Sequence, residues 1–210
     1  MDILNRITED LQAGKAEDVR TGVEKALTEG ISSNEILHQG MMKAMNIVGE
    51  KFKKDEIFVP EVLVAARAMK SGMEVLEPVL TADKVDSEGK ILLGTVKGDL
   101  HDIGKNLVGM MLEGGGFEVE DLGVDVEAEE FINKLRETEA EVLAMSALLT
   151  TTMPEMKNVI DVLKEEGLRD KVKVIIGGAP VTDDYAEQIG ADYYAQDAAS
   201  AVDKVKEAIK

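Results

Sequence analysis

Apolar positions in the first third of the chain recur at helical spacing. Ile3, Leu4, Ile7 and Leu11 form one stripe that Gly14 closes, and Val19, Val23, Ala26 and Leu27 form a second that ends before Gly30. Ser32 and Glu35 have the spacing of a capping box, which starts a third helix through Ile36, Leu37, Met41, Met45 and Val48 to about Lys53. Pro60 suits a first helical position, and Val62, Leu63, Ala66, Met69, Met73 and Leu76 carry a fourth helix to Pro78. Four such helices with short connections predict a four-helix bundle over residues 1–80. Residues 81–89 are polar, without periodicity and end in glycine, as a linker would.

From Lys90 the rhythm changes. Short apolar runs at Ile91–Val96, Phe117–Asp121, Val142–Ser146, Val172–Ile176 and Tyr193–Ala195 read as strands. Between and after them, Gly104–Glu113, Ala128–Glu137, Met153–Glu166, Asp183–Gln188 and Ala198–Ile209 read as amphipathic helices. This alternation predicts an α/β domain over residues 90–210, a doubly wound five-stranded parallel sheet of flavodoxin- or Rossmann-like order. Right-handed crossovers bring the C-terminal ends of the first, third and fourth strands together at the switch point, where open α/β sheets bind ligands.

Three stretches fall at those ends: Gly94 to Asn106, Met145 to Thr152, and Val174 to Pro180. The first holds one of the two histidines, with Asp99 two residues before His101 and glycines on either side. In an extended loop, residues two apart point the same way, so Asp99 can reach the imidazole. A carboxylate on one ring nitrogen leaves the other fixed and more basic, the usual support of a metal-ligating histidine. Gly98 and the pair Gly104-Lys105 bring to mind a phosphate-binding loop, but five residues separate the glycines and Asn106 stands where a hydroxyl would be needed. His38, mid-helix, has no carboxylate placed to orient it and reads as structural or exposed.

Composition narrows the function. A net charge of −18 argues against nucleic acid, which needs clustered Lys and Arg, and against anionic membrane surfaces. Without cysteine there is no disulfide, thiolate metal site or cysteine nucleophile. The start of the chain is amphipathic and acidic, unlike a signal peptide, and no apolar run approaches membrane-spanning length, so a soluble, cytoplasmic protein is expected. Eleven methionines against seven Phe and Tyr and no Trp fill much of the apolar volume.

Taken in order, Asp99-x-His101-x-x-Gly104, Ser146-x-Leu148 and Gly177-Gly178 resemble the signature of the cobalamin-binding domain of methionine synthase and of corrinoid methyl carriers. The resemblance continues in the N-terminal half, through Val48 to Phe52 and Glu56 to Leu63, and is strongest to the small corrinoid proteins of anaerobic methyltransferase systems. It implies a cobalamin or related corrinoid cofactor whose cobalt takes His101 as its lower ligand, with Asp99 and Thr152 completing a relay behind the ring. It implies a slot for the cofactor's nucleotide tail, approached closely at Gly94, Gly98, Gly104, Gly177 and Gly178 and lined by Ser146 and Thr150. Asp102, Ile103 and Leu148 belong to the same motif positions. Phe58 would be the aromatic cap over the upper corrin face, with Val62 and Leu63 one turn further on as cap or bundle core.

On this resemblance the chain is a methyl carrier: a substrate-specific methyltransferase loads it from methanol, a methylamine, a betaine or a methoxylated aromatic. A second methyltransferase unloads it to tetrahydrofolate or coenzyme M, and a reductive activase maintains it. Two other readings share the signature: the cobalamin subunit of an adenosylcobalamin mutase, and a cobalamin sensor. The helical cap counts against the first, and the lack of a DNA-binding or signalling module against the second.

Overall fold

The computed structural model describes residues 2–83 and 87–210, which divide into two compact units. The helical unit spans residues 1–87 with 114–116, and the α/β unit takes the remainder.

In the helical unit, α1 (Ile3–Gln12), α2 (Ala16–Thr28) and α5 (Val59–Asp83) surround a continuous helical run made of α3 (Ser33–Glu35), a π-helical segment (Ile36–Met42) and α4 (Lys43–Lys53). The predicted stripes are its core: Ile7, Leu11, Val19, Val23, Ile36, Met41, Met45, Val48, Val62 and Leu76 are buried, each worth about 1.5–3 kcal/mol for the larger side chains. Ser32 caps the third run by accepting from the Glu35 N–H at 3.2 Å. Two features differ from expectation. The π segment was not visible in the periodicity, because seven residues of wider winding barely displace the apolar stripe. Within it, the Gly40 carbonyl accepts the buried Thr8 hydroxyl at 2.9 Å. The fourth helix also runs through Pro78 to Asp83, so residues 81–83, expected in the linker, are helical. Proline removes one ladder bond, but Leu76 and Leu80 are buried on either side of it and their packing carries the helix onward. Residues 84–86 of the expected linker lie outside the described residues.

The α/β unit consists of β1 (Lys90–Thr95), α6 (Ile103–Gly114), β2 (Glu118–Asp121), α7 (Ala128–Thr138), β3 (Val142–Ser146), α8 (Met153–Glu165), β4 (Lys173–Gly177), α9 (Asp183–Ile189), β5 (Tyr193–Ala195) and α10 (Ala198–Ala208). All pairings are parallel, in the order β2-β1-β3-β4-β5, the flavodoxin-like order expected. Leu92, Leu143, Met145, Val174 and Ile176 form the core with Phe131, Ile132 and Leu135 of α7 and Met156, Val159, Ile160 and Leu163 of α8. The register aligns Thr95, Ser146, Gly177 and Ala195 in one row at the C-terminal edge of the sheet. That row and the loops beyond it carry the candidate site.

Candidate functional site: a held histidine at the sheet edge

Asp99 is the fixed point. After β1 the chain turns at Gly98, whose φ is 77°, and the Asp99 N–H donates to the Val96 carbonyl at 3.2 Å. The Asp99 side chain is wholly buried although Gly98, Leu100 and His101 around it are exposed. Its Oδ2 accepts from the N–H groups of Leu148 (2.7 Å) and Leu149 (3.2 Å) and from the Thr152 hydroxyl (2.7 Å). Its Oδ1 accepts from the His101 N–H at 3.1 Å and lies 2.7 Å from His101 Nδ1. Burial by itself would push this carboxyl up; the hydrogen bonds from Thr152, His101 and the Leu148 and His101 backbone outweigh it and hold Asp99 well below the usual carboxylate range.

An ionised Asp99 can only accept, so the proton between it and the ring sits on His101 Nδ1, and in the neutral ring Nε2 carries the free lone pair. The imidazole is half exposed, and the buried Thr95 hydroxyl fixes the loop from behind by donating to the His101 carbonyl at 3.0 Å. The result is an oriented imidazole with Nδ1 held by the carboxylate, leaving Nε2 as the nitrogen able to ligate cobalt. Among the described residues no three His, Asp or Glu side chains gather as a metal cage, so this nitrogen would be a single ligand to a metal whose other positions the protein does not fill.

The surroundings fit a broad, mostly apolar ligand. Leu100 (71% exposed) and Ile103 (81%) flank the histidine, and Leu148 and Leu149 are also exposed. Nothing lies within 4 Å of where a Gly104 side chain would start, so the fold leaves open space there. Along the sheet edge, the Ser146 hydroxyl makes no hydrogen bond to any described residue, and Thr150 is exposed in the loop leading to α8. Thr152 stands at the N-cap of α8, yet its hydroxyl does not cap the helix because it is directed to Asp99.

Other expected residues have fold reasons of their own. A side chain at Gly94 would strike the Phe131 ring at 2.7 Å, so this glycine admits α7 against the sheet. Gly178 has φ 132°, and a Cβ there would stand 1.9 Å from the Ala147 carbonyl oxygen, which only glycine avoids. Gly177 approaches the Ala195 carbonyl in the same way, at 3.0 Å. Asp102 accepts from the Asn106 side chain at 3.1 Å and steadies the first turn of α6. In the helical unit, Phe58 is 62% exposed and Leu63 40%, whereas Val62 is core. His38 is partly buried within the π segment.

The periodicity gave no warning of two supports. Buried Lys105 bonds Asp121 and, at 2.7 Å, Asn106, tying the start of α6 to the end of β2. A lysine one residue past a motif glycine was the available signal. Thr95 was the other, its role hidden because a strand-end threonine is ordinary.

The chain is similar to known proteins along nearly its whole length. Residues 89–204 match the B12 binding domain family, and residues 3–77 match a second B12 binding domain family. A dimethylamine corrinoid protein of Methanosarcina acetivorans is 46% identical over 98% of this chain and 96% of its own length. Two solved structures are similar. A cobalamin-binding protein from Desulfitobacterium hafniense has a TM-score of 0.84 and 33% identity, with both chains fully covered. The methanol:cobalamin methyltransferase complex of Methanosarcina barkeri has a TM-score of 0.89 and 31% identity, over 99% of this chain and 79% of that one. The likeness thus runs through both units of the chain and over nearly its full length, and the chain belongs to the B12-binding corrinoid proteins.

Proposed function

We propose that this protein carries methyl groups between methyltransferases, on a corrinoid whose cobalt His101 would ligate. The observation that carries this reading is the Asp99–His101 pair. Five hydrogen-bond contacts fix the carboxylate, which in turn fixes the tautomer, leaving Nε2 as the only outward ligand. The bound corrinoid supplies a cobalt centre able to take up a methyl group and give it on. The chain's own residues would hold and orient it: His101 would bind, Asp99 and Thr152 keep the Nδ1 proton in place, and exposed Leu100, Ile103, Leu148 and Leu149 offer an apolar surface around the ring. Gly104, Ser146 and Thr150, which the fold leaves open or unpartnered, are the residues proposed for the nucleotide tail, with Gly98 beside them and Gly177 and Gly178 shaping the sheet edge through their contacts with the Ala195 and Ala147 carbonyls. Asp102 shapes the loop. Phe58 of the helical unit is the proposed cap residue, supported by its exposure beside exposed Val59, Leu63 and Val64.

A methylated amine is the proposed methyl source, since the relative at 46% identity is named for dimethylamine and the methanol-system structure is only 31% identical. Partners would be the methyltransferase specific for that amine, an acceptor methyltransferase serving coenzyme M or tetrahydrofolate, and a reductive activase, all in the cytoplasm. No helix among the described residues is long and apolar enough to cross a membrane.

The test is anaerobic reconstitution with methylcobalamin, followed by visible spectra of wild type and His101→Ala. A nitrogen-ligated spectrum in wild type that becomes base-off in the variant supports the assignment. Identical spectra remove His101 as ligand, and failure of both to bind corrinoid defeats the carrier reading.

A further inference from the structure

The turn between β2 and α7 contains Asp125 at φ 56°, a left-handed conformation uncommon outside glycine, though aspartate and asparagine adopt it more readily than other residues. Two other described residues share it, Asp55 and Glu139, and Glu139 is simply the left-handed stop of α7. Asp125 differs in what it holds. Its Oδ1 accepts from the Gly98 N–H at 2.6 Å, and its own N–H donates to the Asp99 carbonyl at 3.0 Å. It therefore grips the backbone on both sides of the 98–99 junction, immediately ahead of His101.

The neighbouring backbone shows what a plain turn would supply. Val126 N–H donates to the Thr95 carbonyl at 3.0 Å, Thr95 N–H donates to the Gly123 carbonyl at 3.0 Å, and Val96 bridges Val126 in parallel. Those contacts extend the sheet edge with main chain alone. Glycine would serve the conformation at position 125 with less strain and asparagine as well as aspartate does, and neither adds charge to a molecule of net charge −18. What the aspartate adds is a charged acceptor for the Gly98 N–H, set close to the buried Asp99. Its return is an anchored Gly98 amide. Gly98, at φ 77°, is the most freely rotating link in the loop that presents the histidine.

We propose that Asp125 is a positioning residue for the cobalt ligand. By clamping Gly98 and Asp99 from the β2–α7 turn, it presets the loop so that His101 Nε2 is aimed before the corrinoid arrives. This rests on the reading of His101 as the lower ligand. Asp99 fixes the ring through its side chain, and Asp125 fixes the backbone that carries Asp99, so the two act in series.

The test uses the full-length protein with Asp125→Gly and Asp125→Asn, loaded with methylcobalamin and compared with wild type at one pH and temperature. Glycine relieves the left-handed backbone but removes the carboxylate. Its melting temperature is expected at or above wild type, while the ratio of nitrogen-ligated to base-off spectrum falls about tenfold, the scale of losses from residues supporting metal ligands. Asparagine tolerates the same φ and keeps an acceptor oxygen, so it is expected to restore most of the ligated fraction. In the cofactor-free protein, amide exchange at Gly98 should quicken in the glycine variant and stay near wild type in the asparagine one. If glycine loosens the fold instead, Asp125→Ser, whose hydroxyl falls one atom short of the Oδ1 position, gives the same comparison. A glycine or serine variant with the wild-type spectrum and wild-type Gly98 exchange overturns the role of Asp125 alone. A wild type that binds corrinoid without nitrogen ligation overturns the His101 assignment and this proposal with it.

Discussion

Two connections at the same sheet edge, the turn after β4 and the loop after β1 with the start of α6, carry motif glycines for opposite reasons. After β4, Gly178 has the Ala147 carbonyl 1.9 Å from where its Cβ would be, and a left-handed backbone besides, so the chain's own packing dictates glycine. After β1, Gly104 has nothing within 4 Å, so the packing of the chain gives no reason for it. The first turn is built to close on itself and the second to leave room. A motif read only as a string treats these glycines alike, whereas the geometry separates the one that the fold requires from the one that it does not.

Substitutions should pull the two turns apart. Gly178→Ala is expected to have the largest effect, more than about 4 kcal/mol of destabilisation, because backbone must move and the new residue sits at φ 132°. Chemical denaturation would measure it, and a loss below about 1 kcal/mol would mean that the β4 turn relaxes freely. Asp99→Ala, which strands the Leu148 and Leu149 amides, should cost about 3 kcal/mol at neutral pH. Because Asp99 is held below the ordinary carboxylate range, its contribution is complete above the unfolded value of about 3.9 and is lost as pH falls through the lower folded value. The stability gap between wild type and variant should therefore not narrow until the pH falls below about 4. A gap that closes nearer neutrality would contradict the placement of the charge. Thr152→Val should cost about 1–2 kcal/mol, with Thr152→Ser recovering most of it, since only the hydroxyl reaches Asp99. At the small end, Gly104→Ala should leave the cofactor-free protein unchanged or more stable by up to about 1 kcal/mol. The same change should weaken cobalamin binding by about 1.4 kcal/mol or more, a tenfold loss read by titration. Unaltered binding would show that the space at Gly104 serves no ligand.

Much of the fold was legible because apolar spacing reports burial directly. Strand and helix positions in the α/β unit were readable to within about a residue, since Leu92, Leu143 and Ile176 lie in the buried centre of a parallel sheet. The π segment and the passage of α5 through Pro78 were not, because both depend on tertiary contacts (Thr8 on Gly40, Leu76 and Leu80 in the core) that override local preference. At the site, the Asp99–His101 pairing followed from a two-residue spacing, and Thr152 from family resemblance alone. What spacing could not reveal was which glycines face a neighbour. Gly94 reads as a loop-edge glycine but makes room for Phe131, which is 37 residues away in sequence and reaches it only through the crossover helix. Lys105 and Asp125 were hidden for the same reason, their partners Asp121 and Gly98 being distant in the chain.

The Asp99 carboxylate also decides which positions of the site are interchangeable. Two of the three donors to its Oδ2 are main-chain N–H groups, at Leu148 and Leu149, and any residue except proline provides those. The side chains at 148 and 149 are thus released from the task of holding the aspartate and can be exchanged without disturbing it. One loop is then made of two alphabets: a backbone that is spoken for, and side chains open to redesign for whatever surface they meet.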